Sequence, residues 1–291
     1  MSRGDEYQVD KAQVRQSFGR AAASYDAAAV LQREVGERML ERLQLVRMKP
    51  QRIADLGAGT GVATAELARR YRGARVVAVD IAEPMLRLAR RRAPWLGRPG
   101  YVCGDVERLP LRDGSVDMVF SNLCIQWSND LDRTLGEFRR VLRPGGVVMF
   151  TTFGPDTLRE LRSSWAAVDA YSHTSAFLDM HDIGDALLRA GLAEPVMDVE
   201  SFTLTYPEVR GLMRDLKALG AHNATAGRAR GLTGKGRLQA LGAAYERFRR
   251  DGRLPATYEV VYGHAWAPSD SIQTRNEHGR AVVSLDQLRR R

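Results

Sequence analysis

The sequence predicts an α/β protein with a Rossmann-like, mostly parallel, seven-stranded sheet and helices on both faces. Three observations predict it. Short apolar runs alternate with amphipathic helical patterns from residue 50 to residue 153, which is typical of parallel sheets covered on both sides. The first strand runs into three glycines spaced two apart, Gly57, Gly59 and Gly61. A helical pattern begins directly after them, as in nucleotide-binding strand–loop–helix units.

The first 49 residues form a helical prefix, which we expect to act as a lid over the core. Helical spacing of apolar residues predicts helices at 11–23 and 27–46. We interpret Ser24-Tyr25-Asp26 as the break between them. Pro50 separates this prefix from the core.

The core, residues 50–153, is predicted to bind a cofactor. Its strands are expected at 53–56, 75–80, 101–103, 116–121 and 147–153, and its helices at 62–71, 83–92 and 131–142. Pro84 suits a first helical turn, where a missing N–H costs little. Arg143-Pro144-Gly145-Gly146 is expected to end the last of these helices.

Residues 154–266 are expected to add a helical insertion and the last two strands, which complete the same domain. Helices are predicted at 156–171, 182–190, 208–219 and 238–250, and strands at 196–204 and 257–266. Residues 224–236 read as a loop rich in glycine and arginine, and residues 267–291 as a flexible polar tail.

The amino-acid composition indicates what kind of partner the protein binds. The length of 291 residues fits one large α/β domain with additions or two small domains, and the formal net charge is +9. Only four of the 44 Lys and Arg residues are lysine, a bias that codon usage alone can produce. The functional interpretation is an acidic partner. No long basic tract is interleaved with aromatic residues, so an acidic protein ranks above nucleic acid.

Two cysteines, Cys103 and Cys124, argue against a disulfide framework or a zinc site. Both lie in apolar runs, and we expect buried thiols and no bound metal. Residues 1–10 are polar, and no apolar run reaches the ~18 residues of a membrane span. We therefore expect a soluble cytoplasmic protein.

Three aspartates lie at the ends of predicted strands: Asp55, Asp80 and Asp105. Ligands of open parallel sheets bind at the carboxyl ends of the strands. A carboxylate after strand two can accept from both ribose hydroxyls, and one after strand three from an adenine amino group. Taken alone, each aspartate has an ordinary explanation as a helix cap or a solvated loop residue. Together they predict an adenine nucleoside whose amino-acid or phosphate tail reaches the glycine loop.

This combination resembles the class I S-adenosylmethionine-dependent methyltransferases. The motifs are Asp55-Leu56-Gly57-Ala58-Gly59-Thr60-Gly61, Val79-Asp80-Ile81 with Met85, Gly104-Asp105-Val106, residues 117–122, and Arg143-Pro144-Gly145-Gly146. A nicotinamide-dinucleotide enzyme is the main alternative, and the Gly-x-Gly-x-Gly spacing counts against it.

The resemblance implies that S-adenosyl-L-methionine is the cofactor. It places Gly57 and Gly59 against the methionine part, Asp80 at the ribose, and Asp105 with Val106 at the adenine, with Asn122 lining the sulfonium side. The full set of implied cofactor-binding residues is Asp55, Gly57, Ala58, Gly59, Asp80, Ile81, Met85, Asp105, Val106, Asn122 and Gln126.

Further motifs resemble a narrower family, the malonyl-[acyl-carrier protein] O-methyltransferases that begin pimelate assembly in biotin synthesis. They are Phe18-Gly19-Arg20-Ala21-Ala22, Tyr25-Asp26, Leu31-Gln32, and residues 121–127, 151–158, 216–221 and 231–233. This resemblance implies an acyl-carrier protein as partner and methyl transfer to the free carboxylate of its malonyl group. That carboxylate is ionised at neutral pH, so no general base is expected.

Tyr25 is the candidate catalytic residue, as a lid side chain that positions the reactants. Its alternative role is an aromatic at a helix boundary that packs on the core. The other predicted contacts for substrate or partner are Trp127, His173, Arg214, Lys217, Arg228 and Arg230. Each has an ordinary alternative: core packing for Trp127, an exposed position for His173, and a solvated charged surface for the cations.

Three other functions stay open on sequence grounds. One is a complex I assembly factor on the same scaffold that hydroxylates an arginine. Another is methylation of a quinone carbon, which requires a base that the sequence does not supply. The third is a non-enzymatic module whose basic tail at 289–291 binds nucleic acid or an assembly partner.

Overall fold

The structure is a computed structural model that describes residues 8–95, 97–169, 171, 173–174, 177–221 and 234–269. Seven strands make one sheet. They are β1 (Arg52–Leu56), β2 (Arg75–Asp80), β3 (Gly100–Cys103), β4 (Val116–Ser121), β5 (Leu142–Phe153), β6 (Ala193–Tyr206) and β7 (Leu254–Trp266).

The strand order is β3-β2-β1-β4-β5-β7-β6. The first five strands in this order pair in parallel, and β7 runs antiparallel to both of its neighbours. The predicted seven-stranded, mostly parallel sheet is therefore confirmed. The order reverses direction between β1 and β4, which is where ligands of such sheets bind.

Nine helices are described in the same parts of the chain. They are α1 (Lys11–Ala28), α2 (Val30–Arg42), α3 (Val62–Arg70), α4 (Glu83–Arg92), α5 (Leu131–Val141), α6 (Arg159–Ala166), α7 (Met180–Arg189), α8 (Val209–Ala218) and α9 (Lys235–Tyr245). Short 3-10 turns follow at Ile125–Trp127 and Glu246–Phe248.

Helices cover both faces of the sheet. One apolar cluster joins the sheet to α2, α3, α6, α8 and α9, and the other joins it to α5 and α7. Met118 and Val119, successive residues of β4, belong to different clusters. Their opposite directions follow from the two-residue period of a strand.

The break predicted at Ser24-Tyr25-Asp26 is wrong, because α1 continues to Ala28 and bends at Ala29. The Ser24 hydroxyl donates to the Ala21 carbonyl within the helix and contacts the Ala218 carbonyl of α8. The polar groups that looked like helix breakers in sequence thus have partners in the fold.

Other boundaries differ less. The strands β2 and β4 and the helix α4 have the predicted limits, whereas α6 covers only Arg159–Ala166 of the predicted 156–171. The Arg143–Gly146 turn forms the start of β5, with Gly145 at a φ of 76°. Most of the loop predicted at 224–236 lies outside the described residues, but its end is wrong, because Lys235 and Gly236 belong to α9. The predicted tail lies almost wholly outside the described residues.

Candidate active site

The glycine loop after β1 is held against the end of β2. The N–H groups of Gly57 and Ala58 donate to the Val79 carbonyl at 2.8 and 3.1 Å. Gly57 has a φ of 71°, and a Cβ added there would lie 2.4 Å from the Cys124 sulfur. Both the left-handed backbone and the lack of space explain the glycine.

Asp80 at the end of β2 closes this loop. Its Oδ2 accepts from the Gly59 N–H at 2.8 Å, and its Oδ1 accepts from the Ala82 N–H at 2.8 Å. Burial raises the pKa of this carboxyl above its usual value, and the two backbone hydrogen bonds oppose the shift. Asp80 is therefore a fixed acceptor in a largely dry site.

Asp55, near the carboxyl end of β1, faces α3. It is buried beneath the loop, and its carboxylate accepts from the Thr64 hydroxyl of α3. Burial raises its pKa to about 7. Asp55 thus joins β1 to α3 and borders only the second of the two cavities described below.

The first cavity lies over the carboxyl ends of β1, β2 and β4 and has an empty volume of about 850 Å³, its open mouth included. It collects most of the predicted site residues. They are Tyr25, Gly57, Gly59, Asp80, Ile81, Met85, Asp105, Val106, Asn122, Gln126 and Trp127.

One end of this cavity has apolar walls from Ile81, Met85 and Val106, with Asp105 beside them. The Asp105 Oδ1 accepts from the Lys11 ammonium at 3.1 Å and from the Glu107 N–H at 3.1 Å. This arrangement leaves Oδ2 as an acceptor next to apolar side chains. Such an end suits a flat heterocycle with an exocyclic amino group.

Helix α1 covers this part of the cavity, because its Phe18 and Tyr25 pack against the cluster that contains Met85. Tyr25 and Phe18 make an edge contact with ring centroids 6.4 Å apart, and Phe18 meets Trp127 edge-on at 5.2 Å. Burial, with Asp80 and Asp26 nearby, raises the pKa of the Tyr25 phenol well above its usual value. The phenol therefore stays protonated at neutral pH and can donate a hydrogen bond.

Two ion-pair groups hold α1 across the cavity. At its start, Lys11 pairs with Asp105 at 3.1 Å and with Glu107 at 2.7 Å. Near its end, Asp26 accepts from the Arg92 guanidinium of α4 at 2.6 Å and from the Thr60 hydroxyl at 2.6 Å. These contacts join α1 to the loop after β3 and to the glycine loop.

Asn122 fastens α2 to the sheet. Its Nδ2 donates to the Gln32 carbonyl at 3.0 Å, and its Oδ1 accepts from the Thr151 hydroxyl at 2.7 Å. Leu123 follows with a φ of 48°, and its N–H donates to the Thr151 carbonyl at 3.1 Å. This left-handed residue turns the chain so that Gln126 reaches the cavity.

A second cavity adjoins the first between α2 and the glycine loop. Asp55 and Ala58 border it, along with Asp26, Arg33, Glu37, Thr60, Val62, Ala63 and Arg92. Tyr25, Gln32, Gly57, Gly59 and Asn122 border both cavities. A ligand in the first cavity can therefore extend past the glycine loop into the second.

Several predicted contacts lie elsewhere. His173 stacks on Trp165 with ring centroids 3.7 Å apart and bonds Asp169 at 2.7 Å, outside both cavities. The Arg214 side chain is 78% exposed on α8, and Lys217 is exposed on the same helix. Arg228 and Arg230 lie outside the described residues.

Sequence reasoning missed other residues that line the first cavity. They are Lys11, Val14, Phe18, Gln32, Gly104, Leu123, Cys124, Phe153, Leu219 and Ala221. The Phe18 and Gln32 motifs carried a signal, because they belong to the prefix and not to the general fold. Lys11 carried none, since its partner Asp105 is distant in sequence.

The thiol prediction is half right. Cys103 is exposed on β3, an edge strand of the sheet, and is not buried as expected. Cys124 lines the first cavity, and burial raises its pKa to about 12. Both are free thiols. Within the described residues, no His, Cys, Asp and Glu side chains cluster as a metal site would require.

No helix among the described residues has the length and apolar character needed to cross a membrane.

Solved structures of other proteins share the fold of this chain. A protein of Bacillus halodurans C-125 with a provisional methyltransferase assignment superposes with a TM-score of 0.58 at 19% identity, covering 79% of this chain and 99% of its own. Phosphoethanolamine N-methyltransferase 2 of Haemonchus contortus, solved with S-adenosyl-L-methionine, gives a TM-score of 0.52 at 20% identity, covering 86% of this chain and 57% of its own.

Residues 54–150 match the methyltransferase domain family. Fold, glycine loop and domain match together define a methyltransferase with a Rossmann-like core. A malonyl-[acyl-carrier protein] O-methyltransferase of Methylovorus sp. (strain MP688) is 58% identical over 274 residues, which are 92% of this chain and 93% of the relative. The enzyme of the same name from Halorhodospira halophila is 54% identical over 100% of this chain and 99% of its own. The chain belongs to the malonyl-[acyl-carrier protein] O-methyltransferase family.

Proposed function

We propose that the protein transfers a methyl group from S-adenosyl-L-methionine to the free carboxylate of malonyl-[acyl-carrier protein]. The product is the methyl ester that primes pimelate and biotin synthesis. The observation that carries this proposal is that similarity to the family extends over 92–100% of the chain. It includes α1, α2 and the segments after β5, whose residues line the cavity together with the glycine loop.

The residues of the two cavities fit the proposed cofactor. Asp80 supplies fixed carboxylate oxygens for ribose hydroxyls, and the apolar end beside Asp105 suits adenine. Buried carboxylates at Asp55 and Asp80 favour a cationic ligand, and S-adenosyl-L-methionine carries a sulfonium and an ammonium charge. When bound, it supplies an electrophilic methyl group.

The acceptor end of the cavity fits a reaction that needs no general base. Tyr25, Asn122, Gln126, Trp127 and Phe153 border it, and none of these side chains is a base at neutral pH. The malonyl carboxylate is already ionised, so the protein has to strip it of water and orient it. Phe18, Trp127 and Phe153 exclude water, and the protonated Tyr25 hydroxyl can donate to one carboxylate oxygen while the other attacks.

We further propose that Tyr25 acts from a helical lid made of residues 1–49. The lid assignment is supported by the position of α1, which borders the first cavity through Lys11, Val14, Phe18 and Tyr25. Ion pairs hold its two ends, and between them its side chains pack on α4 and contact α8. Such an attachment can open for ligand entry and then exclude water.

The carrier protein is proposed to dock near α8. Leu219 and Ala221, which directly follow this helix, border the first cavity. Arg214 and Lys217 are exposed on α8, and Arg228 and Arg230 follow in sequence. Acyl-carrier proteins are acidic, so cations near the cavity would steer them and fix their orientation. Free thiols at Cys103 and Cys124 support a reducing, cytoplasmic location.

The proposed reaction is tested by incubating the protein with S-adenosyl-L-methionine and malonyl-[acyl-carrier protein]. Mass spectrometry of the carrier should show a gain of one methyl group, and mild base should release it as methanol. A carrier bearing the malonyl monoamide, which has no free carboxylate, is the matched control and should gain no mass. Absence of the ester with folded, cofactor-bound protein would refute the proposal.

A further inference from the structure

Gln32 of α2 stands where the two cavities meet. It borders both of them, together with Tyr25, Gly57, Gly59 and Asn122. Its side-chain oxygen, Oε1, is buried and has no hydrogen-bond partner among the described residues. A buried acceptor without a partner destabilises a protein, so such an atom beside a cavity points to a ligand that donates to it.

The backbone of Gln32 is fixed in place. Its carbonyl accepts from Asn122 Nδ2 at 3.0 Å, and Asn122 is in turn held by the Thr151 hydroxyl. Gly36, one helical turn further along α2, lets Asn122 approach closely, because a Cβ there would lie 3.0 Å from the same Nδ2. The backbone from which the side-chain amide extends is therefore fixed to the sheet.

The surroundings select a positively charged donor. An amide oxygen only accepts hydrogen bonds. Asp26, Glu37 and Asp55 contribute carboxylates to the second cavity. The two arginines that border it are already engaged: Arg92 pairs with Asp26 and Thr60, and Arg33 donates to the Asp26 backbone carbonyl at 3.0 Å. The electrostatics favour an ammonium group near Gln32 over a neutral hydroxyl.

We propose that Gln32 Oε1 binds the α-ammonium group of the methyl donor. The inference rests on the proposed function, because it takes S-adenosyl-L-methionine as the ligand. The adenosine part would occupy the first cavity, and the amino-acid tail would pass Gly57 and Gly59 into the second. There the α-carboxylate would face the start of α3, where Thr60, Val62 and Ala63 border the cavity and no side chain caps the helix.

Calorimetric titration with two ligands tests this assignment without turnover. S-adenosylhomocysteine carries the amino-acid tail, and 5′-methylthioadenosine lacks it. Gln32→Leu should weaken S-adenosylhomocysteine about tenfold or more, as expected for losing one hydrogen bond to a charged group. The same variant should change the affinity for 5′-methylthioadenosine less than about twofold. Gln32→Glu should retain or tighten S-adenosylhomocysteine binding, since its carboxylate attracts an ammonium more strongly.

Gln13→Leu is the matched control. Gln13 on α1 also has a buried Oε1 without a partner among the described residues, but it borders neither cavity. The control should leave both affinities unchanged. Equal losses for both ligands in Gln32→Leu, or no loss for either, would overturn the assignment. Failure of the proposed function would look different: no methyl ester on the carrier, with binding of S-adenosylhomocysteine still dependent on Gln32.

Discussion

Asp55 is a carboxyl group whose ionisation opposes folding. Its pKa rises from 3.8 to about 7 on burial between β1 and α3. The folded state therefore binds more protons than the unfolded state between these two values, and this group makes stability fall as pH rises from about 4 to about 7. Below that window the penalty is absent, and above it the penalty is constant.

We expect Asp55→Asn to remove this part of the pH dependence. The amide oxygen can still accept from Thr64 but carries no charge. The variant's free energy of unfolding relative to wild type should rise across that window by up to roughly 4 kcal/mol. Urea unfolding at several pH values measures this difference. A difference that is flat with pH would contradict a buried, ionising Asp55.

Gly57 and Gly59 differ in what a side chain would meet. Both have positive φ, so alanine is strained at either position by about 1–2 kcal/mol. A Cβ at Gly57 would also overlap Cys124, whereas a Cβ at Gly59 meets nothing within 4 Å. We expect Gly57→Ala to cost about 2–5 kcal/mol in total and Gly59→Ala no more than the strain. Urea unfolding of the two variants measures this, and equal losses would contradict it.

For single residues, the sequence predicted positions well where a local motif determines them and poorly where a contact distant in sequence determines them. Asp80 and Gly57 follow from the strand–loop–helix pattern. His173 could not be excluded from the site, because its stacking on Trp165 depends on how the segment after α6 folds back. Cys103 was placed inside because an apolar run does not show that its strand lies at the edge of the sheet.

Among the elements, α1 shows how tertiary contacts override local sequence. Ser24 and Asp26 each favour a helix end in isolation. In the fold they gain partners from α8 and α4, and the helix continues through them. By contrast, β2, β4 and α4 were predicted correctly, because strongly apolar strands and a proline at the first helical turn are local signals.

The contact between Asp26 and Arg92 should stabilise the closed position of α1. We expect Asp26→Asn to weaken S-adenosylhomocysteine binding about fivefold, which corresponds to about 1 kcal/mol for a partly exposed pair. Arg92→Gln should have a similar effect, and the double variant should be little worse than either. Calorimetry measures the affinities.

Glu66→Gln is the control for this experiment. It breaks an exposed pair with Arg69 on α3, away from both cavities. The affinity of this variant for S-adenosylhomocysteine should equal that of wild type. Fully additive losses in Asp26→Asn and Arg92→Gln would show that the two side chains act independently and would contradict the proposed contact.

For the whole molecule, the alternation of strands and helices predicted the number of strands and their mostly parallel course. It did not predict that β7, the last strand in sequence, would insert between β5 and β6. That order depends on the length and packing of the connection through α8 and α9. The two cavities were equally beyond local patterns, because their walls come from residues as far apart in sequence as Lys11 and Ala221.

We expect the net charge of +9 to strengthen binding of the acidic carrier protein and to leave binding of the cofactor unaffected. We expect the double variant Arg214→Glu/Lys217→Glu to raise KM for malonyl-[acyl-carrier protein] at least tenfold at low salt, with less effect at high salt. Cofactor affinity should stay unchanged, because neither side chain borders a cavity. Initial rates at varied carrier concentration measure the effect.

Arg189→Glu is the control for the single variant Arg214→Glu, because each of these substitutions changes the net charge by the same amount, and Arg189 lies on α7 and pairs with Asp132. It should leave KM for the carrier near the wild-type value. Equal effects of the α7 and α8 variants would show that only the overall charge matters and would remove the docking site from α8.

Because α1 is attached at both ends, it affects how S-adenosylhomocysteine, a product of the reaction, inhibits the enzyme. Lys11 holds the start of the helix beside the first cavity, and Asp26 holds its end beside the second. S-adenosylhomocysteine keeps every group of the donor except the methyl. The contacts that retain the donor therefore retain the spent cofactor as well. We expect a rapid first turnover followed by a slower steady state, visible as a burst in quench-flow. A hydrolase that removes free S-adenosylhomocysteine would prevent its rebinding. The burst should remain, because release of S-adenosylhomocysteine from beneath α1 would limit the steady-state rate.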